Sequence, residues 1–251
     1  RMLATMLMDI EQGQKDRICV NIPPRHGKSQ LVSIMFPAWF LGRNPNKKVM
    51  MVSHTTDLAV DFGRKVRNLI ATESYQEIFP TVALAVDSKS AGRWNTNSGG
   101  EYYACGIGSS IAGRGADLLL VDDPHSEQDV INGNFEVFEK AYDWFTFGAR
   151  TRLMPGGRVA IIQTRWHMDD LTGRVTKDMV NNDKSDQYEV VEFPAIMDVE
   201  NKKTKEIMQK PLWPEFFDME ALLRTKASMP VFQWNAQYQQ EPTAEEAALV
   251  K

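Results

Sequence analysis

The sequence contains little cysteine and no excess of positive charge. Only two of its 251 residues are cysteines, Cys19 and Cys105, which excludes a framework of disulfide bonds. Cys19 lies in an apolar run, and we expect a small buried side chain in a reducing compartment. The formal net charge is −4 at pH 7, so composition alone does not indicate a nucleic-acid-binding protein. Nucleic acid is not excluded, because a local basic patch suffices for binding.

The sequence also lacks a long hydrophobic run and a visible secretory leader. No apolar run approaches the roughly 18 residues of a membrane-spanning helix, so we expect no membrane partner. The first residue is Arg1 rather than methionine, and we expect the chain to be part of a longer protein. A hydrophobic content of 43% is enough for one substantial core, alone or with a smaller subdomain.

The sequence does contain short apolar segments that alternate with helical patterns. Strands are predicted at residues 17–22, 48–53, 118–123, 158–163 and 189–193. Helices are predicted at 28–41, with an interruption at Pro37, at 57–71 and around 138–145, whereas 91–115 is typical of hairpins and loops. This alternation predicts an α/β fold with a mainly parallel sheet covered by helices. We divide the chain into a core at 1–200 and a small helical lid at 201–251.

The stretch NIPPRHGKSQ, residues 21–30, ends like a phosphate-binding loop, in Gly27, Lys28 and Ser29. Ile22 stands where the first glycine of that motif is expected. The stretch still follows a predicted strand and opens a predicted helix, so backbone N–H groups can bind phosphate oxygens there. Lys28 would contact the β and γ phosphates, and the Ser29 hydroxyl would hold Mg²⁺. The alternative is an ordinary strand-to-helix turn with an exposed lysine.

The whole turn is included in the predicted nucleotide site. The residues predicted to bind ATP are Pro24, Arg25, His26, Gly27, Lys28, Ser29 and Gln30. Arg25 lies inside the loop and is also predicted to reach the phosphates of its own chain as a catalytic group.

Two carboxylates close the apolar run LLLVDD at residues 118–123. Ligands bind at the carboxyl ends of strands in open α/β sheets. Asp122 is therefore predicted to bind Mg²⁺ through water, and Asp123 to orient or deprotonate the attacking water. The alternative is a capping or turn role before Pro124. Together with the phosphate loop, the pair predicts an ATPase site that uses ATP and Mg²⁺.

A third polar segment, IIQTRWHMDDLTGR, begins with a predicted strand that ends at Thr164. The Thr164 hydroxyl is predicted to sense the γ-phosphate. Asp169 or Asp170 is predicted to cap the helix that follows. His167 and Asp169 have no third ligand at a usable spacing, so a metal site is not favoured.

Arginines on flexible segments are candidates for the group that stabilises a phosphoryl-transfer transition state. Arg114 lies between two glycines shortly before the strand that carries Asp122, and Arg93 is a second candidate. An ordinary surface arginine is the alternative for both.

In their order and spacing, these motifs resemble those of the large terminase subunit of tailed bacteriophages, the ATP-driven motor that packages DNA into a preformed capsid. The matching segments are PPRHGKS, PAWFLGRNP, AGRWNTNSGG, IAGRGADLLLVDDPH, LMPGG, QTRWHMDDLTGR, LWPE and WNAQYQQEPT. The resemblance implies a P-loop NTPase fold of the ASCE or RecA-like type, with a small C-terminal helical lid. It implies Walker A at residues 25–29, Walker B at Asp122, a coupling motif that contains Thr164, and a trans-acting arginine at Arg114.

The sequence departs from the family pattern at Asp123, where a glutamate is usual. Aspartate is one methylene shorter, so the water must approach differently or Glu127 must help. Family members usually continue into an RNase H-like nuclease domain, and we expect this chain to cut no DNA. The adenine-contacting segment of the family usually lies upstream of Walker A.

The resemblance also implies partners and a location. The partners are double-stranded DNA, bound non-specifically through its backbone, the capsid portal protein and the small terminase subunit. A homo-oligomeric ring is expected on assembly and a monomer in isolation, in the host cytoplasm and transiently on the procapsid. Lys202, Lys203 and Lys205 are candidate DNA contacts, with a plain solvated face as the alternative. Two other functions stay open: a helicase-like ATPase that remodels nucleic acid, and a non-catalytic nucleotide-binding docking module.

Overall fold

The computed structural model describes residues 2–88, 90–131, 135–201 and 204–243. The strands in these ranges are β1 (Arg17–Asn21), β2 (Lys48–Ser53), β3 (Arg93–Asn95), β4 (Glu101–Gly106), β5 (Ala116–Asp122), β6 (Leu153–Gln163), β7 (Glu189–Glu192), β8 (Ile196–Glu200) and β9 (Ile207–Pro211). The α-helices are α1 (Met2–Gln12), α2 (Phe36–Arg43), α3 (Thr56–Ile70), α4 (Glu73–Ile78), α5 (Glu127–Ile131), α6 (Glu136–Asp143), α7 (Leu171–Asn181), α8 (Met219–Ala227) and α9 (Val231–Gln239). No helix in the described parts of the chain is long and apolar enough to cross a membrane.

Seven strands form one sheet in the order β3-β4-β2-β5-β6-β1-β7. Every neighbouring pair is parallel except β3 and β4, which are antiparallel. The carboxyl ends of β2, β5, β6 and β1 therefore meet at one edge of the sheet, where the predicted site residues other than the two arginines Arg93 and Arg114 follow. The predicted α/β fold with a mainly parallel sheet is confirmed.

The sheet is buried on both faces, because its central strands carry continuous apolar runs. Leu118 and Leu120 of β5 pack on one face with residues of α1, α2 and α3. Leu119 and Val121 pack on the other face with Phe145 and with residues of α7. Successive side chains of a strand point to opposite faces, so the run LLLV supplies both cores.

Several strands agree closely with the sequence prediction. β2 has the predicted bounds, β1 and β7 end one residue earlier, and β3 and β4 form the expected hairpin. β6 begins at Leu153, five residues before its predicted start. Its first part is irregular, since Leu153 pairs with Ala116 but Arg158 pairs with Leu118.

The helix after the phosphate loop is not broken at Pro37. A π-helical segment, Gln30–Met35, precedes α2, and Pro37 lies in the first turn of α2. The Phe36 N–H bonds to the Leu31 carbonyl, five residues earlier. Proline cannot donate the hydrogen bond of a regular turn, and the wider turn before it accommodates this loss.

The C-terminal subdomain, which we define as β8, β9, α8 and α9, has a small core of its own. Ala195, Ile196, Leu222 and Trp234 are buried together there. A small helical lid was predicted in this part of the chain, but the antiparallel β8–β9 hairpin was not, because most β9 side chains are exposed and show no alternation. The division of the chain at residue 200 stays a prediction.

The basic run proposed for DNA contact is only partly described. Lys202 and Lys203 lie outside the described residues. Lys205 pairs with Glu200 at 3.0 Å in an exposed position.

Candidate nucleotide-binding site

The predicted phosphate loop connects the carboxyl end of β1 to a helix that begins at Lys28. Arg25 and Gly27 have positive φ angles of 63° and 77°, which turn the chain back into the helix. Ile22 is not among the described residues with positive φ, so this loop does not need a glycine there. Glycine adopts the Gly27 conformation without strain.

Lys28 forms a short ion pair with the second carboxylate of the β5 segment. Its Nζ lies 2.6 Å from Asp123 Oδ2. Burial alone would lower the pKa of Lys28, but the charges of Asp123 and Asp122 outweigh it and raise the pKa. The ammonium group is therefore held charged on the predicted phosphate loop.

Asp122 is a buried carboxylate with one oxygen left for a ligand. Its Oδ2 accepts a hydrogen bond of 2.6 Å from the Ser33 hydroxyl, and the Ser29 hydroxyl is near enough to help lower the pKa of this carboxylate. Burial, reinforced by the charge of Asp123, raises the pKa of Asp122 to about 6, although Lys28 and the two serines oppose the shift. No described residue donates a hydrogen bond to its buried Oδ1. Mg²⁺ prefers carboxylate oxygens and hydroxyls, so Ser29 and Asp122 fit the predicted magnesium site.

Asp123 and Thr164 join three strand ends. Asp123 has a positive φ of 44°, and its Oδ1 accepts the Thr164 N–H at 3.0 Å. The Thr164 hydroxyl donates to the Ile22 carbonyl at 3.1 Å. The start of the phosphate loop, the end of β5 and the end of β6 are thereby linked through one residue, Thr164.

A cleft of about 790 Å³ opens beside these residues. Its lining consists of Pro24, Arg25, Lys28, His54, Thr55, Asp123, His125, Ser126, Glu127, Gln128, Thr164, Trp166, Gln237 and Tyr238. Arg25 and Glu127, both exposed, thus lie at the same cleft as Asp123. Gln237 and Tyr238 belong to α9, so the C-terminal subdomain forms one wall.

His26 faces the C-terminal subdomain. Its ring is buried and stacks on Phe217 with 4.9 Å between centroids, while Nδ1 lies 2.9 Å from the Pro24 carbonyl. Burial lowers the pKa of His26. A Cβ at Gly27 would lie 3.7 Å from the Trp213 ring, so this part of the loop packs on aromatic groups. Gln30, by contrast, is exposed at the first turn of the helix.

Arg114 does not lie at the nucleotide site of its own chain. It precedes the seven-residue strand β5, whereas Asp122 ends it, so roughly 20 Å separates them. Arg114 Nη1 pairs with Glu101 at 3.2 Å, and the guanidinium lies 4.6 Å from the Tyr103 ring centroid. Arg93 pairs with the same Glu101 oxygen at 3.1 Å. Both predicted arginines are therefore at the opposite end of the sheet.

Three polar residues at the site were missed in the sequence. Ser33 lies one helical turn after Ser29, and that spacing is the signal that points to it. The His54 N–H donates to the Asp123 carbonyl at 3.1 Å, and His54 follows β2 as Asp123 follows β5. His125 Nε2 accepts the Leu171 N–H at 3.0 Å, and burial lowers its pKa to about 4.

The segment after Thr164 caps and packs against α7 and α6. Asp170 caps α7 by accepting the Gly173 N–H at 3.0 Å, which confirms one of the two predicted caps. A side chain at Gly173 would collide with the Met168 carbonyl, so glycine is required there. His167 stacks on Phe138 at 5.2 Å, and no metal-binding group of three or more acidic, histidine or cysteine residues occurs in the described ranges.

The structure thus brings together Lys28, Ser29, Asp122, Asp123 and Thr164, with Arg25 at the same cleft. It places Arg114 elsewhere. The catalytic and ligand-binding roles of these residues stay predictions.

The sequence model of one protein family, described as terminase large subunit, T4likevirus-type, N-terminal, matches residues 19–222 of this chain. Among curated protein sequences, none is significantly similar to it.

Solved phage terminase structures share the fold. The large terminase ATPase domain of Thermus phage P74-26 aligns with a TM-score of 0.55 and 17% identity, over 94% of this chain and 92% of that chain. The large terminase of bacteriophage HK97 aligns with a TM-score of 0.52 and 14% identity, over 91% of this chain and 47% of that chain. The large terminase of a thermophilic bacteriophage, in complex with ADP, has a TM-score of 0.51 and 11% identity, over 89% and 49%. The chain spans about half the length of the latter two proteins.

Proposed function

Because this chain belongs to the terminase large subunit family, we propose that it hydrolyses ATP in a Mg²⁺-dependent reaction that drives double-stranded DNA into a procapsid. The observation that carries the proposal is the group formed by Lys28, Asp123 and the buried Asp122 at the carboxyl edge of the sheet. The ADP bound by one structurally similar terminase supports an adenine nucleotide as the ligand.

Lys28 has a double role in this proposal. It neutralises Asp123 through their 2.6 Å ion pair. Phosphate oxygens that bind Lys28 would compete with this pair and release Asp123 Oδ2. The freed carboxylate can then accept a proton from water as the water oxygen attacks the γ-phosphorus and ADP leaves. Mg²⁺ on Ser29 and Asp122 would neutralise charge on the β and γ phosphates.

Thr164 and Arg25, which both line the cleft, would assist the reaction. Thr164 holds Asp123 Oδ1 through its N–H and would respond to changes at that carboxylate. Arg25 is exposed on the phosphate loop and would neutralise phosphate charge within its own chain. Arg114 would serve the site of a neighbouring subunit in a ring.

The partners follow from the family. We propose non-specific contacts with the DNA backbone, whose strength falls as salt rises, and docking to the portal protein and the small subunit. Assembly would occur in the host cytoplasm and on the procapsid.

Lys28→Ala tests the enzymatic part of the proposal. Hydrolysis of ATP, measured as phosphate release with and without DNA, should become undetectable because the phosphate charge loses its partner. Lys47→Ala is the matched control, since Lys47 pairs with Asp117 at 2.8 Å at the opposite end of the sheet and should leave hydrolysis unchanged. Chelation of Mg²⁺ should stop the wild-type reaction.

Other results would point to the other functions. Nucleotide binding by the wild-type chain without turnover, at concentrations that permit assembly, would favour a docking module. Unwinding of a DNA duplex would favour a helicase-like enzyme.

A further inference from the structure

The side-chain amide of Gln240 connects the C-terminal subdomain to the predicted nucleotide site. Gln240 caps α9 in the left-handed conformation, with φ 63° and ψ 21°, and is 1% exposed. Its Oε1 accepts the backbone N–H of Arg165 at 3.2 Å, and its Nε2 donates to the Gln237 carbonyl at 2.6 Å. The side chain therefore bridges the end of α9 and the chain that leaves β6.

Arg165 directly follows the residue that holds Asp123. The Thr164 N–H donates to Asp123 Oδ1, and the Thr164 hydroxyl donates to the Ile22 carbonyl. A displacement of α9 that pulls on the Arg165 N–H thus acts one residue away from both contacts.

The same helix end also borders the cleft. Gln237 and Tyr238 line it together with Lys28 and Asp123. Phe217, between β9 and α8, stacks on His26 of the phosphate loop. The subdomain therefore contacts the site at two places, the cleft and His26, and of the residues named here Gln240 is the one that bonds to the segment that carries Thr164.

We propose that Gln240 is a positioning residue that links the movement of the C-terminal subdomain to the Thr164–Asp123 contact. The inference rests on the proposed function, because it assigns the route by which the nucleotide site and this subdomain affect each other. When Asp123 exchanges Lys28 for water, Thr164 and the Arg165 N–H shift, and Gln240 passes the shift to α9.

The left-handed backbone conformation of Gln240 indicates that its side-chain amide is needed at this position. The left-handed position after a helix favours glycine, and a side chain there costs stability unless its contacts compensate. A residue held in such a conformation at the edge of a site motivates a functional hypothesis. The two amide hydrogen bonds are the contacts that compensate here.

The neighbouring Gln239 supplies a matched control. Its amide bonds to both the N–H and the carbonyl of Ile196, at 3.2 and 3.1 Å, and so ties α9 to β8. Gln239→Met and Gln240→Met each remove an amide at the same helix end while keeping side-chain length. Gln240→Gly removes the amide but relieves the positive φ, so it tests the role without depending on a strained backbone.

Hydrogen exchange with and without a non-hydrolysable ATP analogue and Mg²⁺ gives the decisive readout. In the wild type and Gln239→Met, the analogue should change exchange both in residues 21–30 and in residues 213–240. In Gln240→Met and Gln240→Gly, it should change exchange only in residues 21–30. The kcat of the Gln240 variants should fall about tenfold or more, with the affinity for the analogue within about threefold of wild type.

The other outcomes contradict either the role of Gln240 or the proposed nucleotide site. The proposed role of Gln240 is overturned if residues 213–240 respond to the analogue in both Gln240 variants as strongly as in the wild type. It is also overturned if only residues 21–30 respond in the wild type. Equal losses of kcat in the Gln239 and Gln240 variants would show a general packing role and would also overturn it. No response of residues 21–30 in the wild type would contradict the proposed nucleotide site itself, and the inference with it.

Discussion

At Lys28, a buried ammonium group stays charged because the negative charges of Asp122 and Asp123 outweigh the effect of burial on its pKa. The same carboxylates differ from each other. Asp122 is fully enclosed and has a raised pKa, whereas Asp123 lies at the cleft and pairs with Lys28 and Thr164. The two adjacent aspartates thus lie in different surroundings, because successive side chains of a strand point to opposite faces.

His125 gives a prediction for pH dependence. Burial lowers its folded-state pKa to about 4 from an ordinary 6.5, despite the opposing charges of Asp170, Asp129 and Asp123. Below about pH 6.5 the unfolded chain therefore binds a proton that the folded chain does not, and stability falls as pH falls. The loss from this residue should reach about 2 kcal/mol between about pH 7.5 and about pH 5.

Urea unfolding of the wild type and His125→Gln at both pH values checks this expectation. Glutamine can still accept the Leu171 N–H but does not titrate. The variant should lose about 2 kcal/mol less than the wild type over this range. The lowered pKa of His26 contributes equally to both proteins, so an identical loss in both would contradict the assignment to His125.

The start of α7 shows how one element is fastened to the site. Asp170 caps the helix and also pairs with Arg165 Nε at 2.8 Å, and both side chains are buried. Arg165 in turn carries the backbone N–H that bonds to Gln240. The cap of α7 therefore positions the segment that follows Thr164.

Asp170→Ala should destabilise the fold by about 3–5 kcal/mol, because it leaves the Arg165 guanidinium buried without its main partner. Asp169→Ala is the matched control. The Asp169 side chain is 50% exposed and lies 3.9 Å from His167 Nδ1, so its loss should change stability by less than about 0.5 kcal/mol. Urea unfolding at one pH measures both, and equal effects would show that α7 is capped differently.

At the scale of the whole molecule, the two ends of the sheet carry different parts of the proposed catalyst. The carboxyl edge holds Lys28, Asp122 and Asp123, whereas Arg114 and Arg93 pair with Glu101 at the amino edge. A head-to-tail contact in a ring brings opposite surfaces of neighbours together. Arg114 must exchange Glu101 for phosphate in such a contact, and Arg93 would remain to neutralise Glu101.

Mixed subunits test this arrangement in the assembled ring. Lys28→Ala and Arg114→Ala should each be inactive alone, and an equal mixture should regain about a quarter of wild-type hydrolysis, since an Arg114→Ala site must adjoin a Lys28→Ala neighbour. Arg93→Ala should remain active. No recovery in the mixture would contradict the action of Arg114 between chains, and inactivity of Arg93→Ala would place the finger there.

Local patterns in the sequence already determined the central strands and the strand-to-helix turn after β1, and they limited the cap of α7 to Asp169 or Asp170. Each depends on residues close in the chain, such as the LLLV run, the G-K-S tripeptide and the two adjacent aspartates before the helix. The predicted interruption of the helix at Pro37 was wrong, because the wider π-helical turn before Pro37 accommodates the missing N–H donor.

Contacts between distant residues were decided by the tertiary structure alone. The Lys28–Asp123 pair, the Thr164 bond to Ile22, the bridge from Gln240 to Arg165 and the placement of Arg114 at the far edge all depend on strand order. Strand order is set by how the two apolar faces pack, and that packing sums many weak contacts that no short stretch of sequence contains.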